Sequence, residues 1–192
     1  MVFKNRNPII ILIAGKARSG KNTVSKILES EFIKEKKEVI ISPYTKYLKE
    51  YIHNITDWNI EDENNKPRDL LQKLSSELIK GKLGLENIFI NRQIEDIKIY
   101  SYFKDVIIIN DVRFPKEIDT IKNVFTNVVS IQVKRSNYIS GLTKEQLQDV
   151  TETSLDNYNN FDYIIENDDI ESLKEDTINI FKSLQKRGES NE

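Results

Sequence analysis

Cysteine is absent from the 192 residues and histidine occurs once. Disulfides, thiolate metal centres and cysteine nucleophiles are thereby excluded. His53 alone cannot build a histidine metal cluster, and its position suits a surface or capping role. An excess of charge of one sign is lacking too, with 29 Lys and Arg against 31 Asp and Glu and a net charge of -2. Nothing in that balance draws the chain to nucleic acid or to a membrane surface. Long apolar runs are missing: Ile9 to Ile13 is too short for a signal-peptide core or a membrane span and soon meets a glycine. A cytoplasmic protein without nucleic-acid or membrane partners is the expectation. Glycine is also scarce, with six in the chain, so the places where it falls carry information.

Two of the six bracket one stretch: Gly15-Lys16-Ala17-Arg18-Ser19-Gly20-Lys21-Asn22-Thr23. The apolar run Ile9 to Ala14 precedes it, and Val24, Ile27, Leu28 and Phe32 follow at helical spacing. Strand, glycine loop, lysine and helix is the order of a phosphate-binding P-loop. Glycines let successive N–H groups turn inward, and the next helix adds its unpaired N–H groups and positive dipole end. Lys21 then reaches the β- and γ-phosphates of a nucleotide. The magnesium-binding Ser or Thr that usually follows the lysine is here Asn22, with Thr23 one residue later.

Beyond the loop, buried strands alternate with helices. The spacing predicts strands at Pro8–Ala14, Val39–Ser42, Asp105–Asp111, Val128–Val133 and Tyr163–Ile165. Helices are expected from Lys21 to about Lys37, over Tyr44–Ile52, from Pro67 to about Gly81, over Asn87–Tyr102, around Phe114–Phe125 and over Asp168–Gln185. The Pro67 helix carries Leu70, Leu71, Leu74 and Leu78 on one face. Trp58–Asn65 reads as a surface loop and the tail from Arg187 as frayed. The expected fold is α/β: about five parallel strands with helices on both faces and the loop at the carboxyl edge of a central strand. Residues 1–192 form a single domain, with a helical acceptor region at about 44–102 and a lid-like segment at about 135–150.

Several residues are candidates to act with the loop. Asp111 ends a buried strand, where an acid can hold magnesium or cap the following helix. Arg113 and Arg135 leave the carboxyl ends of two strands, where a guanidinium meets phosphate or a structural acid. Arg68 opens the Pro67 helix against the helix dipole, with Gln72 one turn on. Glu77, Asn87, Asn91 and Arg92 are spaced to line a base pocket. Glu152 reads as part of a helix-capping sequence.

Gly-Lys-Ala-Arg-Ser-Gly-Lys-Asn-Thr-Val resembles the phosphate loop of phage-type deoxynucleoside monophosphate kinases. Lys66-Pro67-Arg68-x-Leu70-Leu71-Gln72, Asp111-Val112-Arg113-Phe114-Pro115-x-Glu117 and Thr151-Glu152-x-x-Leu155 resemble further signatures of that group, from Ile9 to about Asn167. Asn22 stands where the group has Asp, and Asp149 where it has His; Thr23 matches adenylate-kinase-like loops. The resemblance implies a P-loop kinase fold, ATP as donor, Mg2+, and small-molecule nucleotide substrates. Gly15 to Thr23 would hold the donor. Lys21, Arg18, Asp111, Arg113 and Arg135 would carry catalysis, with Arg68, Gln72 and Arg113 on the acceptor and Thr23 and Asp111 near the metal. Another small acceptor, such as a dephospho-coenzyme A-like or phosphomevalonate-like molecule, or a non-catalytic nucleotide switch, stays open. So does the oligomeric state, a dimer included.

Overall fold

Strand side chains alternate between faces, so a run that is apolar at every position must be covered on both sides. The runs Ile9–Ala14 and Val106–Ile109 meet that condition. The computed structural model describes residues 3–62, 65–136, 141 and 143–189. Its strands are β1 (Ile9–Ala14), β2 (Val39–Ile41), β3 (Val106–Val112), β4 (Val128–Lys134) and β5 (Tyr163–Glu166). They lie in the order β2-β3-β1-β4-β5, each neighbouring pair parallel. β1 is therefore central, and its carboxyl end opens into Gly15.

The helices are α1 (Lys21–Lys34), α2 (Lys46–Thr56), α3 (Arg68–Lys73), α4 (Ile88–Tyr100), α5 (Pro115–Val124), α6 (Lys144–Leu147), α7 (Val150–Thr153) and α8 (Ile170–Glu189). One sheet face packs Ile11, Ile13 and Ile108 against Leu28 and Phe32 of α1 and Phe181 and Leu184 of α8. The Phe32 and Phe181 rings meet edge to face at 5.0 Å. The other face packs Ile10, Leu12 and Ile109 against Ile90 and Ile97 of α4 and Ile118 and Ile121 of α5. A third, small core joins Leu48 and Ile52 of α2 to Leu71 and Ile79. Among the described residues no helix is long and apolar enough to cross a membrane.

Several helix bounds differ from expectation, α2 running over Lys46–Thr56 instead of Tyr44–Ile52, and two of the differences have clear local reasons. α1 stops at Lys34, not Lys37, because Lys36 turns left-handed at φ 58. The N–H of Lys37 then closes on the Phe32 carbonyl at 3.0 Å and that of Lys36 on Ile33 at 2.9 Å, a Schellman ending. The Pro67 helix keeps α-helical winding only to Lys73 and continues as a π-helix over Leu74–Lys82. Wider winding moves the apolar stripe. Leu71 and Ile79 are buried, whereas Leu70 and Leu78 face outward at 36% and 41% exposure. The expected lid lies partly outside the described residues, as does the tail beyond Glu189; Asp169 caps the final helix, its Oδ1 accepting from Glu171 and Ser172 N–H.

Candidate functional site: two adjoining cavities at the phosphate loop

The loop between β1 and α1 curls because three residues leave ordinary backbone space: Gly15 at φ 149, Arg18 at φ 59 and Gly20 at φ 109. Both glycines are also sterically required. A Cβ on Gly15 would stand 2.3 Å from the Val133 carbonyl oxygen, and one on Gly20 2.6 Å from Asn167 Nδ2. That buried amide donates to Ser19 O at 2.7 Å, tying the loop to the end of β5. The first turn of α1 then offers N–H groups without intrahelical partners.

Lys21 is buried at the loop's centre, its Nζ donating to the carbonyls of Gly15 at 2.8 Å and Lys16 at 2.7 Å. Burial, helped by the charge of Arg113, brings its pKa down to about 7; Glu152 and Asp111 act in the opposite direction. An incoming phosphate supplies the counter-charge that favours the ammonium form.

Two cavities meet beside this lysine. One, of about 660 Å³, is lined by Ala17 to Thr23, Asn110, Arg135 and Asn167. The other, of about 260 Å³, runs between α2, α3 with its π-helical continuation, the start of α5 and α7; Tyr44, Leu71, Phe89 and Phe114 form its apolar walls. Thr45, Lys49, Lys66, Arg68, Asp111 and Arg113 line both. Four of those six shared residues are cationic, so the junction suits a group of concentrated negative charge.

Most of the residues expected from sequence converge here. Lys21, Arg18, Thr23 and Arg135 line the first cavity, Gln72 the second, and Arg68, Asp111 and Arg113 the junction. Asp111 has a further task. Its Oδ1 accepts from Tyr44 N–H at 2.8 Å, and its Oδ2 from Thr45 N–H at 3.0 Å and Thr45 Oγ1 at 2.6 Å, so it clasps the turn between β2 and α2. Gln72 donates to Asp149, which also caps α7 by accepting from Thr151 N–H at 2.8 Å. Arg18 lies against Gly141, where a Cβ would stand 2.6 Å from its Nη1. By contrast, Asn87, Asn91 and Arg92 line a separate shallow groove, and Glu77 is exposed. His53 is exposed, its Nδ1 2.7 Å from the Trp58 carbonyl oxygen.

The residues that sequence reading missed lie mostly on the second cavity. Lys49 carries no motif, and Lys66 stands in a segment where only Arg68 and Gln72 were candidates. Ser75, Ser76 and Lys80 reach the lining through the π-helix, whose i→i+5 bonding puts residues four to five apart on one face. Glu117 is buried at the cavity wall, and Lys80 Nζ sits 4.7 Å from the Phe114 ring centre. Glu117 Oε2 accepts from the N–H groups of Arg113 at 2.7 Å and Phe114 at 3.0 Å, closing the start of α5. Burial outweighs those bonds and pushes the carboxyl up to about 7. Glu152, expected as a helix cap, is instead bound to the loop: its Oε2 accepts from Ala17 N–H at 2.7 Å and its Oε1 from Arg113 Nη1 at 2.7 Å. The two partners stand 135 and 39 residues away, a pairing that no local pattern spells.

No protein-family model matches the chain, and no curated protein matches it in sequence. Solved structures do match over nearly its whole length. Protein TT1252 from Thermus thermophilus superposes with a TM-score of 0.55 at 16% identity, covering 92% of this chain and 97% of that one. Shikimate kinase from Bacteroides thetaiotaomicron gives 0.52 at 15% identity over 92% and 98%. A proposed kinase from Chloroflexus aurantiacus gives 0.52 at 12% over 96% and 97%. A five-stranded parallel sheet flanked by helices, with a glycine loop at the carboxyl end of its central strand, is the P-loop kinase fold, and this chain has it.

Proposed function

We propose that the protein is an ATP-dependent kinase that transfers a phosphoryl group to a nucleoside monophosphate, ribo or deoxyribo. The observation that carries this reading is the pair of cavities meeting at Lys49, Lys66, Arg68 and Arg113 beside the phosphate loop. One cavity takes the donor polyphosphate and the other an acceptor whose own phosphate lies at the junction. The resemblance of the Gly15–Thr23 and Asp111–Glu117 segments to deoxynucleoside monophosphate kinases supports the same acceptor class.

In the reaction an oxygen of the acceptor phosphate attacks the γ-phosphorus. The bond to the β–γ bridging oxygen breaks, and ADP leaves with that electron pair. The nucleophile is already an anion, so no general base is required, and catalysis consists of alignment and charge neutralisation. Lys21 and the loop amides hold the donor phosphates. Arg18, Arg113 and Arg135 offset charge on the transferring group, while Arg68 and Gln72, with Lys49 and Lys66, hold the acceptor phosphate. Phe114, Phe89, Lys80 and Glu117 would meet its base. Thr23, Asn22 and Asp111 would stand nearest a magnesium ion. No group of three acids or histidines able to hold a metal occurs among the described residues, which suits an ion bound chiefly through nucleotide phosphates and water. Such an ion screens the β- and γ-phosphate charge.

The test is acceptor-dependent ADP formation with magnesium, ATP and a panel of ribo- and deoxyribonucleoside monophosphates. Turnover on at least one monophosphate is the expected result; none on any would overturn the reading.

A further inference from the structure

A buried carboxylate beside a phosphate loop calls for a reason, because it occupies a place built for anions. The side chain of Glu152 is 8% exposed, and both oxygens are used: one by the Ala17 amide of the loop, the other by Arg113. Arg113 Nη1 also donates to the Thr151 carbonyl at 3.4 Å. One side of the guanidinium is thus held by α7, while Arg113 lines the donor cavity, the acceptor cavity and the groove behind the loop. A long side chain that would otherwise sample many rotamers is fixed at the junction.

The same short segment reaches further. Asp149, three residues before Glu152, accepts from Gln72 on the acceptor side. Asp156, four residues after it, pairs with Lys16 of the loop at 2.8 Å. From 149 to 156 the chain is therefore a strap from the acceptor cavity to the groove behind the loop, with the Glu152 side chain at its centre. The Ala17 amide lies in the first half of the loop; Lys21 and the first turn of α1 stay outside this contact.

We infer that Glu152 is a positioning residue for phosphoryl transfer. It aims Arg113 at the transferring group and registers that arginine against the phosphate loop. This rests on the kinase reading above. The charge pair matters more than the bulk: a glutamine keeps an oxygen for Ala17 N–H, but its amide cannot pair with the guanidinium.

The experiment compares wild type, Glu152→Gln, Arg113→Lys and the double variant with magnesium, ATP and the best monophosphate, alongside thermal unfolding and the affinity for a non-hydrolysable ATP analogue. Glu152→Gln is expected to lower kcat about tenfold or more, with both KM values and the analogue affinity within about threefold. In the Arg113→Lys background the same change is expected to cost less than about threefold, since its target is already altered. An unchanged kcat, or an equal loss in both backgrounds, overturns the inference. So does a gain in analogue affinity, which would make Glu152 a plug that competes with phosphate. Wild-type protein without turnover removes the kinase reading itself, an outcome distinct from wild-type turnover that Glu152 does not affect.

Discussion

The two halves of the site are built in opposite ways. The proposed donor half is built mainly on one stretch of consecutive residues, between the central strand and a helix packed on it. The acceptor half is gathered from the β2–α2 turn, α3, a π-helix, the start of α5 and α7. Its own core is small: among the described residues it has four buried side chains, against fifteen and twelve in the two cores that cover the sheet. A phosphate loop can be rigid because every donor looks alike at its phosphates. An acceptor pocket gathered from separate elements can be altered piece by piece without disturbing the loop.

That contrast can be broken by substitution, and the largest effect belongs to the donor side. Lys21→Ala should cut turnover about a thousandfold or more, because the proposed reaction relies on this ammonium to offset developing negative charge. Circular dichroism and the melting temperature should stay near wild type; retained turnover would take the loop out of the mechanism.

Arg68→Ala comes next. It should raise the acceptor KM by about 10- to 100-fold, the worth of one charge-assisted contact. Donor affinity should change little, as measured by titration with a non-hydrolysable ATP analogue. Equal loss on both sides would mean that the cavities are not separate sites.

The legibility of the molecule in its sequence divides along the same line. Gly15, Gly20 and Lys21 announce themselves because loop, strand and helix are local and contiguous, and the continuous apolar runs require a sheet covered on both faces. Arg68, Asp111 and Arg113 were readable from their places at element ends. The π-helix was not, because four leucines at α-helical spacing describe a helix without describing its winding. Hence Leu78 faces outward while Ile79 is buried, and Lys80 reaches the cavity. Glu152 was hidden by chain distance, and its local pattern fitted a cap that Asp149 in fact supplies.

Glu117 gives a smaller and purely thermodynamic signal on the acceptor side. Its carboxyl is raised in the folded protein to about 7 from 4.5, so the folded state prefers it protonated. The stability it contributes is complete below about 4.5 and is lost as pH rises through about 7, a change of about 3 kcal/mol. Glu117→Gln, neutral at every pH, should flatten this part of the stability–pH curve in denaturant titrations. An undiminished slope would place the titration elsewhere. Smallest of all, amide exchange should be faster in α2, α3 and the π-helix than in α1 and β1, following the size of their cores.

The central claim is that two phosphate-bearing sites adjoin at Arg113, and a single binding measurement addresses it. Two nucleosides joined by a polyphosphate bridge should occupy both cavities at once. By calorimetry such a ligand should bind one per chain, at least about tenfold tighter than ATP, because the second contact becomes intramolecular. It should also exclude the monophosphate. Binding no tighter than ATP, with the monophosphate still free to bind beside it, would contradict the two-site account.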